Sequence, residues 1–306
     1  VVDFQTSEVR HFPETQFGEA SPYVDVETGT VFWQCERTIW KRGPQPDAPV
    51  EWVNAIPDEI VGARQMQRTA THLTRSADGR EFFVDLGFQL QWPFGSLPVD
   101  GGAFQQWHSF NRVYNHAQFS PTDPDEVLFA EEIHGDPVTG LVFPITNRLW
   151  LIRRGQQPRP ILREPTVVCH EWWDADGEHV WCVFRNETWR VRVADGTIEK
   201  IVFPHHCWHA HASRDGRLIV TDEVRFEKRG YCRGVQSHVN FMDRNTGKEL
   251  LLADNPEQNN HIGRNYHIDP HPRFVCGDRY VVFTTTVLGE IDVAIVPTAT
   301  LIGMTT

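Results

Sequence analysis

The chain has 306 residues and a formal net charge of −12, so it can bury a sizeable core and lacks the basic surplus that general nucleic-acid binding requires. No apolar run reaches the roughly 20 residues that a membrane-spanning helix needs. The six cysteines form no C-x-x-C pair, which favours free thiols in a reducing compartment, and no signal peptide is visible. We therefore expect a cytoplasmic protein without a nucleic-acid or membrane partner.

One local pattern recurs six times in chain order. Each copy has a tight turn rich in Gly or Asp, followed by a short strand rich in Val, Phe, Ile and Trp, as in β-hairpins. The copies are DVETGTVFWQC (25–35), SADGREFFVDL (76–86), SPTDPDEVLFAEE (120–132), DADGEHVWCVF (174–184), SRDGRLIVTDE (213–223) and CGDRYVVFTTT (276–286). Further strand-like segments follow at 147–155, 188–203, 238–254 and 290–297. The irregular segment 87–115 is predicted to be a long loop.

The turn motifs follow one another at intervals of about 40 to 60 residues. Four-stranded blades of a β-propeller recur at roughly 40–50 residues. The sequence therefore predicts an all-β protein that is a single β-propeller domain over residues 1–306. Six or seven four-stranded blades fit the length, and six of them are visible. A pair of β-sandwiches is the alternative.

A histidine lies a few residues before five of the six turns. These residues are His72, His116, His170, the pair His209 and His211, and the pair His267 and His271. Equivalent positions of propeller blades face one central channel, so we expect these imidazoles to converge. The alternative for each histidine is a packing or hydrogen-bonding role within its own blade.

The segment NYHIDPHPRF places His267, Asp269 and His271 at alternate positions, which would share one face of a strand. Imidazole and carboxylate groups suit divalent first-row metals such as Mn, Fe, Ni or Zn. Together with His209 or His211 from the preceding blade, these residues form a candidate metal site. The alternative is an aspartate that orients two channel histidines.

Basic residues occur in two segments that adjoin the histidine-bearing ones. NRLWLIRRG (147–155) contains Arg148, and RFEKRGYCR (225–233) contains Arg225 and Tyr231. Positive side chains beside imidazoles suit an anionic small substrate in a focused pocket, although the overall charge is acidic. Exposed basic loops are the alternative.

Part of the chain, residues 110–297, resembles the oligogalacturonate lyases. The resemblance rests on the motifs HAQFSPTDPDEVLFAEE, NRLWLI, CHEWWDADGEHVW, HAHASRDGRLIVTDE and PHPRFVCGDRYVVFTTTVLGEIDVAIV. It implies a seven-bladed propeller with a manganese site, which cleaves short α-1,4-linked galacturonides by β-elimination in pectin degradation. The implied partner is an acidic oligosaccharide, and the implied cofactor is Mn²⁺.

Carried over by position, the resemblance implies that His170 is the catalytic base and that Arg148 neutralises the substrate carboxylate. His211 and His271 fall on metal-binding histidines of the family. The residues that we expect to contact the substrate are His116, Arg225 and Tyr231. Tyr231 or a water molecule is the candidate proton donor.

The chain departs from the family at its metal motif, Gln-x-x-His-x-His-Pro. Tyr266 occupies the glutamine position and Asp269 that of the middle histidine, while His267 has no counterpart in register. We expect a metal to be bound by His211, His271 and either His267 or Asp269. The departure leaves two alternatives open. One is a lyase acting on another uronide, such as a rhamnose–glucuronate or ulvan-type linkage, and the other is a non-catalytic sugar-binding or interaction propeller.

Overall fold

The computed structural model describes Thr6, Glu8, Val9 and residues 20–224, 236–257 and 269–306. Strands make up 48% of the described residues and helices 4%, which confirms the all-β prediction. Contacts between Cα atoms divide the chain into two compact units, Val1–Thr166 and Val167–Thr306. The single domain expected over residues 1–306 stays a prediction.

The first unit contains three antiparallel sheets of four strands each and one inserted two-stranded hairpin. Sheet 1 and the short helix after it comprise β1 (Tyr23–Val24), β2 (Val31–Cys35), β3 (Thr38–Arg42), β4 (Val50–Ala55) and α1 (Asp58–Val61). Sheet 2 comprises β5 (Thr74–Arg75), β6 (Glu81–Asp85), β7 (Trp92–Pro98) and β8 (Gln105–Phe110). Sheet 3 and its inserted hairpin comprise β9 (Tyr114–Phe119), β10 (Glu126–Glu131), the hairpin strands β11 (His134–Gly135) and β12 (Val142–Phe143), β13 (Leu149–Arg153) and β14 (Arg159–Pro160).

The second unit contains two further four-stranded sheets and a three-stranded one, again antiparallel with neighbouring strands consecutive in sequence. Sheet 4 comprises β15 (Cys169–Trp173), β16 (His179–Phe184), β17 (Glu187–Arg192) and β18 (Ile198–Val202). Sheet 5 comprises β19 (Ala210–Ala212), β20 (Leu218–Val224), β21 (Ser237–Asp243) and β22 (Lys248–Asn255). Sheet 6 and the helix after it comprise β23 (Arg273–Val275), β24 (Tyr280–Thr285), β25 (Asp292–Pro297) and α2 (Thr298–Thr305).

The turn before the second strand is built from local hydrogen bonds. The Ser76 hydroxyl donates to the Asp78 carboxylate at 2.7 Å and accepts the backbone N–H of Arg80 at 3.1 Å. Ser213 repeats the pattern with Asp215 at 2.6 Å. Such turns depend on a few neighbouring residues alone, and each of the six sequence motifs runs into the second strand of one of the six sheets. The expected number of seven blades stays a prediction.

The prediction that residues 87–115 form a loop is wrong. The segment contains β7, β8 and the start of β9. Strand β7 is buried along nearly its whole length, so it lacks the alternation of polar and apolar residues that marks a half-buried strand. A Cβ atom on Gly95 would overlap the carbonyl oxygen of Gln105 and the ring of Phe104. The glycine therefore marks a close approach of two strands at an irregularity in their register.

Neighbouring sheets within a unit pack face to face through their central strands. In the first unit, Phe32 and Phe82 have ring centroids 5.0 Å apart in the core shared by sheets 1 and 2. In the second unit, Trp181 and Ile219 join one core cluster between sheets 4 and 5. Within the residues that the structure describes, no helix combines the length and the apolar character that crossing a membrane takes.

Candidate functional site

Three predicted site histidines share an unusual backbone conformation. The φ angles of His116, His170 and His271 are 56°, 51° and 47°, in the left-handed region that costs a residue with a side chain about 1–2 kcal/mol. His116 and His170 lie where the register of β9 with β10, and of β15 with β16, shifts. Such bulges re-aim a side chain at the end of a strand, often beside an active site.

In the second unit, the Asp222 carboxylate organises a cluster of histidines. Its Oδ1 accepts the backbone N–H of His209 at 2.6 Å, and its Oδ2 lies 2.9 Å from Nδ1 of the same ring. Oδ2 also accepts the backbone N–H of His271 at 2.9 Å. Asp222 has no exposed surface, so this carboxylate holds two histidine-bearing segments in fixed positions.

The imidazoles of this cluster are in ring contact. The centroid of His209 lies 4.1 Å from that of His170 and 4.0 Å from that of His271. The Trp208 ring packs edge-on against His170 at 4.7 Å. Burial, followed by the charge of His209, lowers the pKa of His271 to about 4. His271 is therefore neutral near pH 7, although its side chain keeps some solvent-accessible surface.

The tautomer of His209 follows from its partner. A carboxylate only accepts hydrogen bonds, so the proton of the neutral ring lies on Nδ1, and Nε2 carries the free electron pair. That Nε2 lies 3.9 Å from Oδ2 of Asp269. Metal-binding histidines are commonly oriented in this way by a carboxylate on the other ring nitrogen. His209 therefore has the electronic arrangement of a ligand or of an acid–base group.

His211 lies in a different environment, although the sequence favoured it over His209. Its ring stacks on Trp172 at 6.0 Å, and its Nδ1 accepts the backbone N–H of Phe274 at 3.3 Å. Burial lowers the pKa of His211 to about 3. Because Nδ1 accepts, the proton of the neutral ring lies on Nε2, and neither nitrogen offers a free electron pair.

In the first unit, Arg148 lies at the centre of a second cluster. Its guanidinium donates to the Glu132 carboxylate and lies 3.2 Å from Nδ1 of His116. Only 7% of Arg148 is exposed, and the His116 ring is 5.1 Å from that of His72. A planar guanidinium held in this way can also pair with a carboxylate in two-point geometry.

The backbone just before Arg148 is held in place by Glu131, which is 1% exposed. Its carboxylate accepts the backbone N–H groups of Thr146 and Asn147 at 3.0 and 2.8 Å. It also pairs with Arg112 at 2.7 Å. The segment that carries Arg148 is therefore tied to the end of β10 on one side and to Arg112 on the other.

The structure brings together some of the predicted residues. His170, His271 and Asp269 join His209 in the second unit, while Arg148 and His116 contact each other in the first. Three predicted residues, Arg225, Tyr231 and His267, lie outside the described part of the chain. Asp269 and His271 precede β23 instead of lying on a strand, because the prolines between and after them have no N–H to pair with a neighbouring strand.

Sequence reasoning missed two residues that position the candidate site residues. Asp222 is the next-to-last residue of the SRDGRLIVTDE motif, and Glu132 is the last residue of SPTDPDEVLFAEE. Both motifs therefore end in acidic residues at the end of the strand that lies beside a site histidine. The shared position of these acidic residues was the sequence signal that could have identified them.

The implied manganese can be tested against the donor groups present. Across residues 20–224, 236–257 and 269–306, no group of three or more His, Cys, Asp or Glu side chains is arranged to hold a metal ion. His209 and Asp269 offer an imidazole nitrogen and a carboxylate of suitable chemistry. The described residues therefore offer two donors of suitable chemistry but not a complete metal site.

Comparisons with known proteins concern the fold. No family model matches the chain, and no curated protein matches it. An oligogalacturonate lyase from Vibrio parahaemolyticus superposes with a TM-score of 0.70 at 16% identity, covering 90% of this chain and 76% of that chain. An oligogalacturonate lyase in complex with manganese gives 0.70 at 15% identity with the same coverage. TolB from Acinetobacter baumannii gives 0.53 at 14% identity, covering 85% of this chain and 57% of that chain.

These relatives are β-propeller proteins. Identities of 14–16% leave the activity of the chain undetermined, because one fold can carry many functions. The superposition over most of the chain and the antiparallel four-stranded sheets both indicate the same architecture. The chain has the β-propeller fold.

Proposed function

We propose that the protein is a lyase that cleaves short uronic-acid-containing oligosaccharides by β-elimination, with oligogalacturonides as the first candidate substrates. The observation that carries this proposal is the contact of His170 with His209, whose ring is held by the buried Asp222. Likeness in fold to two oligogalacturonate lyases supports it. So does the sequence resemblance in the segments that bear these residues.

The chemistry requires a base and a means of stabilising negative charge. His170 takes the proton from C5 of the uronate, and the electron pair of that C–H bond forms the C4–C5 double bond. The C4–O bond breaks, and its oxygen leaves with a proton from water or from Tyr231. An imidazole suits the first step because its ordinary pKa, about 6.5, is close to neutral pH.

Neutralising the substrate carboxylate makes the C5 proton more acidic, because charge builds up on that carboxylate as the proton leaves. Arg148 supplies a guanidinium for this role, and its planar fork matches a carboxylate. Glu132 and His116 hold the fork in one orientation. A substrate carboxylate would take over or share the hydrogen bond that Glu132 accepts in this structure.

A divalent metal, with manganese as the first candidate, belongs to this proposal. His209 and Asp269 would hold it, with the predicted ligands His267 and His271 completing the set. When bound, such an ion supplies a positive charge next to the carboxylate of the uronate. The part played by Asp222 is to fix the ring of His209 so that Nε2 keeps its free electron pair.

The proposal is tested by following the ultraviolet absorbance of the unsaturated uronate. The assay uses digalacturonate and trigalacturonate, each with Mn²⁺ and with a chelator. A rhamnose–glucuronate disaccharide and an ulvan-type oligosaccharide extend the panel, because the altered metal motif favours another uronide as the alternative. Release of the unsaturated product from any of them supports a lyase. No product from the whole panel with metal supplied would overturn it.

A non-catalytic sugar-binding or interaction propeller is the second candidate, because the fold is shared with TolB. Calorimetric titration of the same oligosaccharides separates the two. Binding without turnover, unchanged by a chelator, would favour the non-catalytic protein. Turnover that requires metal would favour the lyase.

A further inference from the structure

Arg273 lies beside the histidine cluster of the second unit. It is the first residue of β23, and the backbone on each side of it is anchored. Two residues earlier, the N–H of His271 donates to Oδ2 of Asp222 at 2.9 Å. One residue later, the N–H of Phe274 donates to Nδ1 of His211 at 3.3 Å. The point at which the arginine side chain leaves the backbone is therefore fixed relative to both histidines.

The charge of Arg273 acts on two of these imidazoles. Burial, followed by the charge of Arg273, lowers the pKa of His211 to about 3. The same guanidinium contributes, after burial and the charge of His209, to the lowered pKa of His271. Coulombic effects weaken with distance and are screened by water. The guanidinium therefore lies close to the rings of His211 and His271.

The guanidinium of Arg273 has no counter-charge in the part of the chain that the structure describes. No described residue forms a hydrogen bond or an ion pair with it, and burial alone acts on its pKa, which it lowers. Part of the side chain is exposed, so an anion from solution can reach it. Four other arginines of this unit do pair with carboxylates, namely Arg190, Arg192, Arg217 and Arg244. Arg273 therefore differs from them in having its charge available for a ligand.

His211 supplies a second hydrogen-bond donor near that guanidinium. Its Nδ1 accepts the N–H of Phe274, so the proton of the neutral ring lies on Nε2. The ring is partly exposed, and no residue within the described ranges accepts from this Nε2–H. An N–H donor and a guanidinium offer no electron pair to a metal ion, but both can donate to an oxyanion.

A carboxylate fits these two groups better than a neutral sugar hydroxyl does. Its two oxygens accept hydrogen bonds in the plane that matches the planar guanidinium, and its charge compensates that of the arginine. The chain has a formal net charge of −12, so its overall field does not attract anions. Local donors of this kind have to supply the attraction.

We propose that Arg273 and the Nε2–H of His211 bind a carboxylate of an acidic oligosaccharide, separate from the carboxylate that pairs with Arg148. Arg273 is then a specificity-determining residue. This inference rests on the proposed function. It adds that the preferred substrate carries two acidic sugar units, as a galacturonide does, instead of one, as a rhamnose–glucuronate disaccharide does.

The test compares Arg273→Gln with Arg279→Gln as a matched control. Arg279 is an exposed arginine of the same sheet, and its Nε donates to the carbonyl of Cys276 at 2.9 Å. Each substitution removes one positive charge, so a general effect of net charge would appear equally in both variants. Arg273→Lys, which keeps the charge but not the planar fork, is the third variant.

The binding measurement follows the ring of His211. Protein labelled with ¹⁵N-histidine is titrated with galacturonate and with its uncharged methyl ester, neither of which has a glycosidic bond to cleave. Each titration is run with Mg²⁺ and with a chelator. The ring signal of His211 is identified by its absence in His211→Gln, and its shift during the titration gives the affinity at this place.

Galacturonate should shift the His211 signal of the native protein. Its affinity should fall by roughly tenfold or more in Arg273→Gln, the size of a charge-assisted hydrogen bond, and by less in Arg273→Lys. The control should stay within twofold, and the ester should bind equally to all variants. No shift in the native protein, or an equal loss in the control or for the ester, would overturn the inference. So would binding that the chelator abolishes and Arg273→Gln leaves unchanged, since a metal ion would then hold the carboxylate.

Kinetics separate failure of this inference from failure of the proposed function. In Arg273→Gln, kcat/KM should fall by roughly tenfold for digalacturonate and by less than twofold for the rhamnose–glucuronate disaccharide. Galacturonate binding that depends on Arg273, without cleavage of any substrate, would keep this inference and remove the lyase. Cleavage with unchanged kcat/KM in Arg273→Gln, or cleavage of the rhamnose–glucuronate disaccharide but of no galacturonide, would overturn the inference and keep the lyase.

Discussion

The Asp222 carboxylate holds His209 at two points, one on the backbone N–H and one on ring Nδ1, at 2.6 and 2.9 Å. Because Asp222 is fully buried, these bonds are shielded from water. The same carboxylate also accepts the backbone N–H of His271. The geometry of the histidine cluster therefore depends on one side chain that is itself fully buried.

Replacing Asp222 by Asn should damage both stability and function. The amide is neutral and presents a single acceptor oxygen, so one of the buried donors loses its partner, at about 1–3 kcal/mol. Disordering the His209 ring should reduce metal affinity or activity by roughly 10- to 100-fold. Urea unfolding and metal titration measure the two effects. The control is Asp254→Asn, whose half-exposed carboxylate pairs with His238 and should cost below about 1 kcal/mol.

His170→Asn tests the assignment of the base. Asparagine tolerates the left-handed backbone of this position, so the fold should persist while proton abstraction is lost. Turnover of acidic oligosaccharides should fall by roughly 10²- to 10⁴-fold, with metal content and circular dichroism unchanged. His179→Asn, on β16 of the same sheet, is the control and should retain wild-type turnover. Full activity in the His170 variant would contradict the assignment.

Arg148→Lys separates the shape of the cation from its charge. Lysine keeps the positive charge but cannot serve Glu132, His116 and a substrate carboxylate through one planar group. We expect kcat/KM for acidic oligosaccharides to fall by about tenfold, equivalent to about 1.4 kcal/mol. Arg153→Lys, at the other end of β13 in an exposed pair with Asp123, should leave kcat/KM unchanged within twofold. An unaltered kcat/KM in the Arg148 variant would remove its role.

The stability of the protein should fall as the pH falls below 6.5. Burial holds the pKa of His211 at about 3, below the ordinary value of about 6.5. Below pH 6.5 the unfolded chain therefore binds more protons than the folded one, and this ring lowers the free energy of unfolding by up to about 1.4 kcal/mol per pH unit. Above pH 6.5 the ring is neutral in both states, and this loss of stability is absent.

His211→Gln removes this ring. Urea unfolding of the variant at pH 6.5 and pH 5 should therefore show a shallower dependence than the native protein. That range lies above the ordinary pKa values of the carboxyl groups, which keeps their contribution small. A slope as steep as that of the native protein would contradict the assignment.

Gly95→Ala tests the close approach of β7 and β8. The added methyl would overlap the Gln105 carbonyl and the Phe104 ring, and overpacking of this kind costs about 1–3 kcal/mol. Gly303→Ala in α2 is the control. No atom lies within 4 Å of its new Cβ, so the free energy of unfolding should rise by about 0.5–1 kcal/mol. Equal effects of the two substitutions would argue against the tight contact.

The sequence predicted those parts of the fold that depend on near neighbours. The two Ser-x-Asp-Gly turns close on their own side chains. Together with the four related turns, they located the second strand of each sheet. Strand β7 was not predicted because burial along nearly its whole length removes the alternation of polar and apolar residues. Its neighbours in the sheet, not its own residues, make it a strand.

The histidine cluster was predictable in part, because its members lie next to turns that the sequence already located. The recurrence of histidines before the turns led to His170 and His271, which the structure places on either side of His209. Spacing could not distinguish His209 from His211, because residues that are two apart on a strand point to the same face. The distinction depends on Asp222, which contacts His209 only once the consecutive strands β19 and β20 have paired.

The left-handed histidines have a consequence for how the chain would respond to selection. Glycine or asparagine would occupy the backbone of positions 116, 170 and 271 more comfortably, and each replacement would relieve about 1–2 kcal/mol. A library screened for heat resistance alone should therefore discard these imidazoles first, and one screened for turnover should retain them. Comparing the survivors of the two screens would separate the positions kept for turnover from those kept for stability.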